Sequence, residues 1–108
     1  MEPWHVGTCI SAVQTYGKEN QKKKCIEEMG ELIQALCKET FVETEEEKQE
    51  NLMNIRTEIA DVLITVTQMQ MIYGSAAVQS EINYKINRLQ GKIDKQNNKQ
   101  NNQTEQNK

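Results

Sequence analysis

From Glu45 to Tyr73 the chain meets neither glycine nor proline, and apolar residues crowd the middle of that run, from Ile55 to Met71. Ile64-Thr65-Val66-Thr67 carries strand propensity. A segment this long with no breaker nevertheless predicts a helix. Apolar around most of its circumference, that helix is expected to be buried and central. Thr44 and Glu47 stand at capping-box spacing, which places its start near Glu45.

The flanking segments read the same way. Val6, Cys9, Ile10, Val13 and Tyr16 recur at three- and four-residue steps, the mark of an amphipathic helix that Gly17 stops. Residues 1–5, with the chain's single proline, read as an irregular lead-in. Lys18 to Glu39 forms a second helix whose apolar side is Cys25, Ile26, Met29, Leu32, Ile33, Leu36 and Cys37, with Gly30 in its interior. Gly30 there serves either close helix packing or room for a ligand. Gly74 ends the long helix, Ser75 can cap the next, and Val78, Ile82, Ile86, Leu89 and Ile93 carry a fourth helix over about 76–93. After Asp94 no apolar residue follows, so 94–108 is expected to be a disordered Asn/Gln/Lys-rich tail. The expectation is an all-α chain, a helical bundle over 1–93 with that tail attached.

Composition excludes several function classes. A formal charge of −3 gives no basic footprint for nucleic acid, and Lys22-Lys23-Lys24 abuts acids. No apolar run approaches a membrane span, and the N-terminus lacks a secretory pattern. Cys9, Cys25 and Cys37 are odd in number without CxxC spacing, which fits reduced thiols and a cytoplasmic setting. Trp4 and His5 are each unique; a lone histidine anchors no zinc cluster of the usual type.

Two acid groups carry the chemical interest. At about 100° per residue, Glu27, Glu31 and Glu28 fall within one arc of about 100° on the second helix, with Lys24 inside it and Leu32 at its edge. Glu58 and Asp61, about 60° apart, sit among Ile55, Ile59, Val62, Val66 and Ile72 on the long helix. The bland alternative pairs Glu27, Glu28 and Glu31 with Lys23, Lys24 and Lys38 on a solvated face, where such pairs contribute little. The second group weakens it, because Arg56 is the only cation near Glu58 and Asp61 in sequence. Carboxylates so placed need compensation, which a divalent cation supplies. All-oxygen ligands suit a hard ion such as Mg²⁺, whereas di-iron bundles add Glu-x-x-His pairs that are absent here.

Glu27-Glu28-Met29-Gly30-Glu31, a spacer, and then Glu58-Ile59-Ala60-Asp61 resemble the E-E-x-x-E and E-x-x-D pattern of MazG-like nucleoside triphosphate pyrophosphohydrolases. Lys24 and Lys85-Ile86-Asn87 are similar to a lysine and a K-x-N segment of that family, and the likeness spans about 6–93. The resemblance implies a four-helix bundle of the all-α NTP pyrophosphatase type. It also implies cleavage of a nucleoside triphosphate, a dNTP or modified NTP, between the α and β phosphates. Glu28, Glu31, Glu58 and Asp61 would hold Mg²⁺, with Mn²⁺ as a substitute. Glu27 would be a further ligand or the group that orients or deprotonates water, while Lys24, Lys85 and Asn87 would contact phosphates. A homodimer or homotetramer with sites at subunit contacts is implied too. The competing expectations are a non-catalytic helical oligomerisation module and a nucleotide-binding regulator.

Overall fold

In the computed structural model the backbone is described for residues 1–106 and side chains for residues 1–102. Four α-helices and no strand occur among the described residues: α1 (Pro3–Tyr16), α2 (Lys18–Lys38), α3 (Glu45–Tyr73) and α4 (Ser75–Gln106). None is long and apolar enough to cross a membrane. The chain divides into two compact units, the first ending at Tyr73 and the second beginning at Gly74.

The first unit follows from local chemistry. α1 begins at Pro3, three residues earlier than its apolar spacing predicts, because the lead-in is itself a cap. Proline fits the first turn of a helix, and Glu2 and His5 exchange backbone and side-chain bonds in a capping box. Its backbone amide gives Glu2 N–H to His5 Nδ1 at 3.1 Å. Gly17 then takes φ 89°, ψ 154°, a region open to glycine, and its N–H closes on the Val13 carbonyl at 2.9 Å. One residue thus stops α1 and starts α2. At the other end Thr44 Oγ1 accepts from the Glu47 N–H at 3.1 Å, as the capping spacing predicts, while the Glu47 carboxylate reaches back to the Glu43 N–H at 3.2 Å.

α2 and α3 form an antiparallel hairpin, with α1 lying against both. Gln21 on α2 bonds Gln68 on α3, and Asn51 on α3 bonds the Ala35 carbonyl on α2, so rising numbers on one helix meet falling numbers on the other. The seam is not the apolar one. Among the described residues the buried ones are Cys9, Cys25, Ala35 and Ile55 together with Gln21, Glu28, Asn51, Thr65 and Gln68.

That corrects the expectation of a buried, central α3. Leu52, Met53, Ile59, Leu63, Ile64 and Val66 are exposed, and so are Ile26, Met29, Ile33 and Leu36 on α2. Within the first unit α1 and α2 pack on one side of α3; the acids turn toward α2 and the apolar flank turns away. Burying an Ile or Leu fully is worth roughly 1.5–3 kcal/mol, so the outward flanks leave a large share of the available hydrophobic stabilisation unrealised.

The second unit is α4. Ile82, Ile86, Leu89 and Ile93 are exposed along it. The helix continues past Ile93, so the segment 94–102, expected to be disordered, is helical. It holds no Gly or Pro, Lys and Gln are good helix formers, and a Gln90 Nε2 to Asp94 Oδ1 bond of 2.9 Å links the last apolar turns to it. Residues 107–108 of the expected tail lie outside the described residues.

Two glycine substitutions test these assignments by urea unfolding. Gly17→Ala should lose about 1–3 kcal/mol, the cost of forcing a side chain into that backbone region. Gly30→Ala should gain about 0.5–1 kcal/mol, because an added Cβ meets nothing within 4 Å.

Candidate metal centre

The polar seam between α2 and α3 has a regular register. Glu28 faces Asp61, and Glu31 faces Glu58. Seven residues before Glu28 stands Gln21, and seven residues after Asp61 stands Gln68. Seven residues are about two helical turns, so these groups share one line down each helix.

Glu28, Glu31 and Glu58 each offer a carboxylate oxygen, and those oxygens lie within 4.8 Å of one another. Glu28 is only 5% exposed; Glu31, Glu58 and Asp61 are half-buried. Lys24 Nζ meets Glu28 Oε1 at 3.0 Å, one turn up α2. The other oxygen of Glu28 and Oε2 of Glu58 are buried without a hydrogen-bond donor. A buried carboxylate oxygen left in that condition is costly. Two of them lie in one cluster whose three carboxylates could hold a metal ion.

The titration behaviour follows from this geometry. Glu28 lies below the usual carboxylate range because the Lys24 ammonium donates to it, against the opposing effect of burial. Glu31 is pushed up to about 6, first by the charge of Glu28, then by burial and by hydrogen bonding to Glu28. With all the acids ionised no donor exists between them; a proton on Glu31 supplies one. Lys24 is held above its ordinary value by its bond to Glu28 and the nearby charge of Glu27.

The residues singled out in the sequence are distributed as follows. Glu28, Glu31 and Glu58 form the cluster, and Asp61 lies within hydrogen-bonding reach of Glu28. Glu27 is exposed and outside the set of three. Lys24, also exposed, is the cation set against the cluster. Lys85 and Asn87 are exposed on α4 and belong to the second unit.

Four polar residues of the seam give no chemical reason for attention in the sequence: Gln21, Asn51, Thr65 and Gln68. The signal that could have found them is positional. Asn51, Glu58, Asp61, Thr65 and Gln68 recur at steps of seven, three, four and three, the stripe that meets a partner helix. Thr65 Oγ1 spends its hydrogen on its own helix, at 3.0 Å from the Asp61 carbonyl and 3.2 Å from that of Val62. Beyond the cluster, toward the α2–α3 turn, a cavity of about 500 Å³ is lined by Lys38, Glu47, Glu50, Asn51 and Asn54.

Comparison of the chain with protein-family models, with curated proteins and with solved structures finds no match. The case for function therefore rests on the residues.

Without metal, protonating Glu31 relieves the cluster. Its pKa rises from 4.5 unfolded to about 6 folded, so the folded state binds the extra proton between those values. Its contribution to stability is full below pH 4.5 and is lost as pH rises through 6. Glu28, shifted down, acts oppositely and loses its contribution as pH falls below 4.5. In EDTA the Tm should therefore rise on going from pH 7 to pH 5, and Glu31→Gln should remove that rise. Scanning calorimetry across the range is the check.

Proposed function

We propose that the chain is an Mg²⁺-dependent nucleoside triphosphate pyrophosphohydrolase, acting on a dNTP or modified NTP to give a monophosphate and pyrophosphate. The observation that carries the reading is the trio Glu28, Glu31 and Glu58, with two buried carboxylate oxygens left without partners. An anionic, all-oxygen donor set of this kind fits a hard divalent ion. The likeness of the two acid motifs to MazG-like enzymes supplies the reaction class and the all-α NTP pyrophosphatase bundle as its fold.

Glu28, Glu31, Glu58 and Asp61 would hold the ion. When bound it supplies neutralisation of the triphosphate and acidifies water. The remaining work falls to this chain's own groups. Glu27, exposed beside Glu28, is free to orient the attacking water and take its proton. The water oxygen bonds to the α phosphorus, the α–β bridging bond breaks, and pyrophosphate leaves with the bond's electrons. Lys24 would stay paired to Glu28 in the resting site and turn to phosphate when substrate arrives, as a flexible ammonium can. Lys85 and Asn87 are the further phosphate contacts of the proposal. Positioning and electrostatics are most of what such a displacement requires.

A non-catalytic assembly module is the second reading, favoured by the exposed apolar flanks of α2 and α3. Contiguous surface of that kind marks an interface, and a homodimer or homotetramer would cover it in either reading. Ligand linkage separates the two. Mg²⁺ with a non-hydrolysable nucleotide should raise the Tm of an enzyme and leave that of a mere assembly module unchanged.

The direct test is pyrophosphate release from canonical and modified NTPs with Mg²⁺, and with Mn²⁺ in its place. Turnover should give monophosphate and pyrophosphate in equal amounts. Glu58→Gln and Asp61→Asn should each lower it by at least roughly 100-fold, the scale on which losing one electrostatic group acts in such sites. Wild-type turnover no greater than that of these variants would sink the proposal.

A further inference from the structure

We propose that Gln21 and Gln68 are positioning residues for the acid cluster, a hydrogen-bonded pair that fixes the register of α2 against α3. The inference rests on the metal-binding reading of Glu28, Glu31 and Glu58 and adds to it the device that keeps those groups facing one another. Gln21 Nε2 donates to Gln68 Oε1 at 2.5 Å, across 47 residues of sequence. The two side chains are 9% and 3% exposed.

A pair of neutral amides is an odd choice for a buried helix contact if cohesion is all that is needed. Apolar side chains of the same shape would serve as well or better, since a satisfied polar pair gains little on burial. What amides add is intolerance of sliding. Leucines accept a neighbouring turn; a Gln moved by one turn leaves a buried donor without its acceptor. Registry is the best-attested use of a buried polar contact between helices.

Registry is also what this hairpin needs. Glu28, Glu31 and Glu58 repel, and a sliding or splaying of the two helices would relieve them. Gln21 stands seven residues from Glu28, and Gln68 seven residues from Asp61. On the far side the Asn51 Nδ2 to Ala35 carbonyl bond of 3.2 Å stands seven residues from Glu58 and seven from Glu28. The cluster is thus bracketed on both sides by polar contacts. The Gln pair is the one made wholly of side chains, so it alone depends on the residue type at both positions.

The experiment replaces both amides with a side chain of similar shape, Gln21→Met with Gln68→Met. Three quantities are read: helicity by circular dichroism, Tm in EDTA, and affinity for Mg²⁺ alone by calorimetric titration. The double variant should stay helical, with a Tm in EDTA at or above wild type. Its Mg²⁺ dissociation constant should rise roughly 10- to 100-fold, the usual consequence of removing support behind metal ligands. Gln68→Glu keeps an acceptor for Gln21 and should bind Mg²⁺ close to wild type, whereas Gln68→Met should not. A folded double variant with wild-type affinity overturns the inference. If the double variant does not fold, equal affinity of Gln68→Glu and Gln68→Met overturns it instead. Wild-type protein that binds no Mg²⁺ removes the metal reading itself, an outcome seen before any variant is made.

Discussion

Repulsion among Glu28, Glu31 and Glu58 is the constraint to which the α2–α3 pairing answers. Their oxygens are brought within 4.8 Å, and the proton affinity of Glu31 rises to about 6 as a result. A helix pair free to choose would turn such groups outward. Here the hairpin turns them inward, and the other buried positions of α2 and α3 are amides, a hydroxyl and the apolar Cys25, Ala35 and Ile55. Lys24 offsets one charge of the cluster, and oxygens on Glu28 and Glu58 are left over. On the proposed reading, a divalent cation would offset that excess of negative charge.

The same choice explains why the outside of the hairpin is apolar. A helix has one circumference to divide. Once α2 gives the arc from Gln21 through Glu28 to Ala35 to its partner helix, Ile26, Met29, Ile33 and Leu36 have no neighbour within the unit to cover them. Inner polarity and outer hydrophobicity are therefore one fact, and it ties the acid cluster to an exposed apolar surface.

Helix positions were largely legible in the sequence because their punctuation is local. Gly17, Gly74 and the Thr44–Glu47 cap act within a few residues of where they stand, and the structure stops and starts its helices there. The start of α1 was missed because a histidine at the third helical position replaced the usual Glu or Gln of a capping box. The helix over 94–102 was missed because the argument from burial decides which segments can form a core, and a lone helix of Lys, Gln and Asn needs none. In the candidate site, the carboxylates announced themselves by type and spacing. Gln21 and Gln68 did not, since an amide looks like any surface residue until its partner across the seam is known. Which flank of α2 meets α3 is a tertiary matter as well. Hydrophobicity alone pointed to the wrong one.

The spacing of polar contacts along the seam also says where this chain can change length. One residue inserted between Gln21 and Glu28, or between Asp61 and Gln68, would rotate everything beyond it by about 100° and carry the acids or the amides off the seam. The connection from Glu39 to Thr44 is under no such rule. It crosses from one helix to the other outside the bracketed stretch, and doubling the length of a flexible loop costs only about 0.6 kcal/mol. Within the hairpin, a change of length is therefore better borne in that turn than between Gln21 and Ala35.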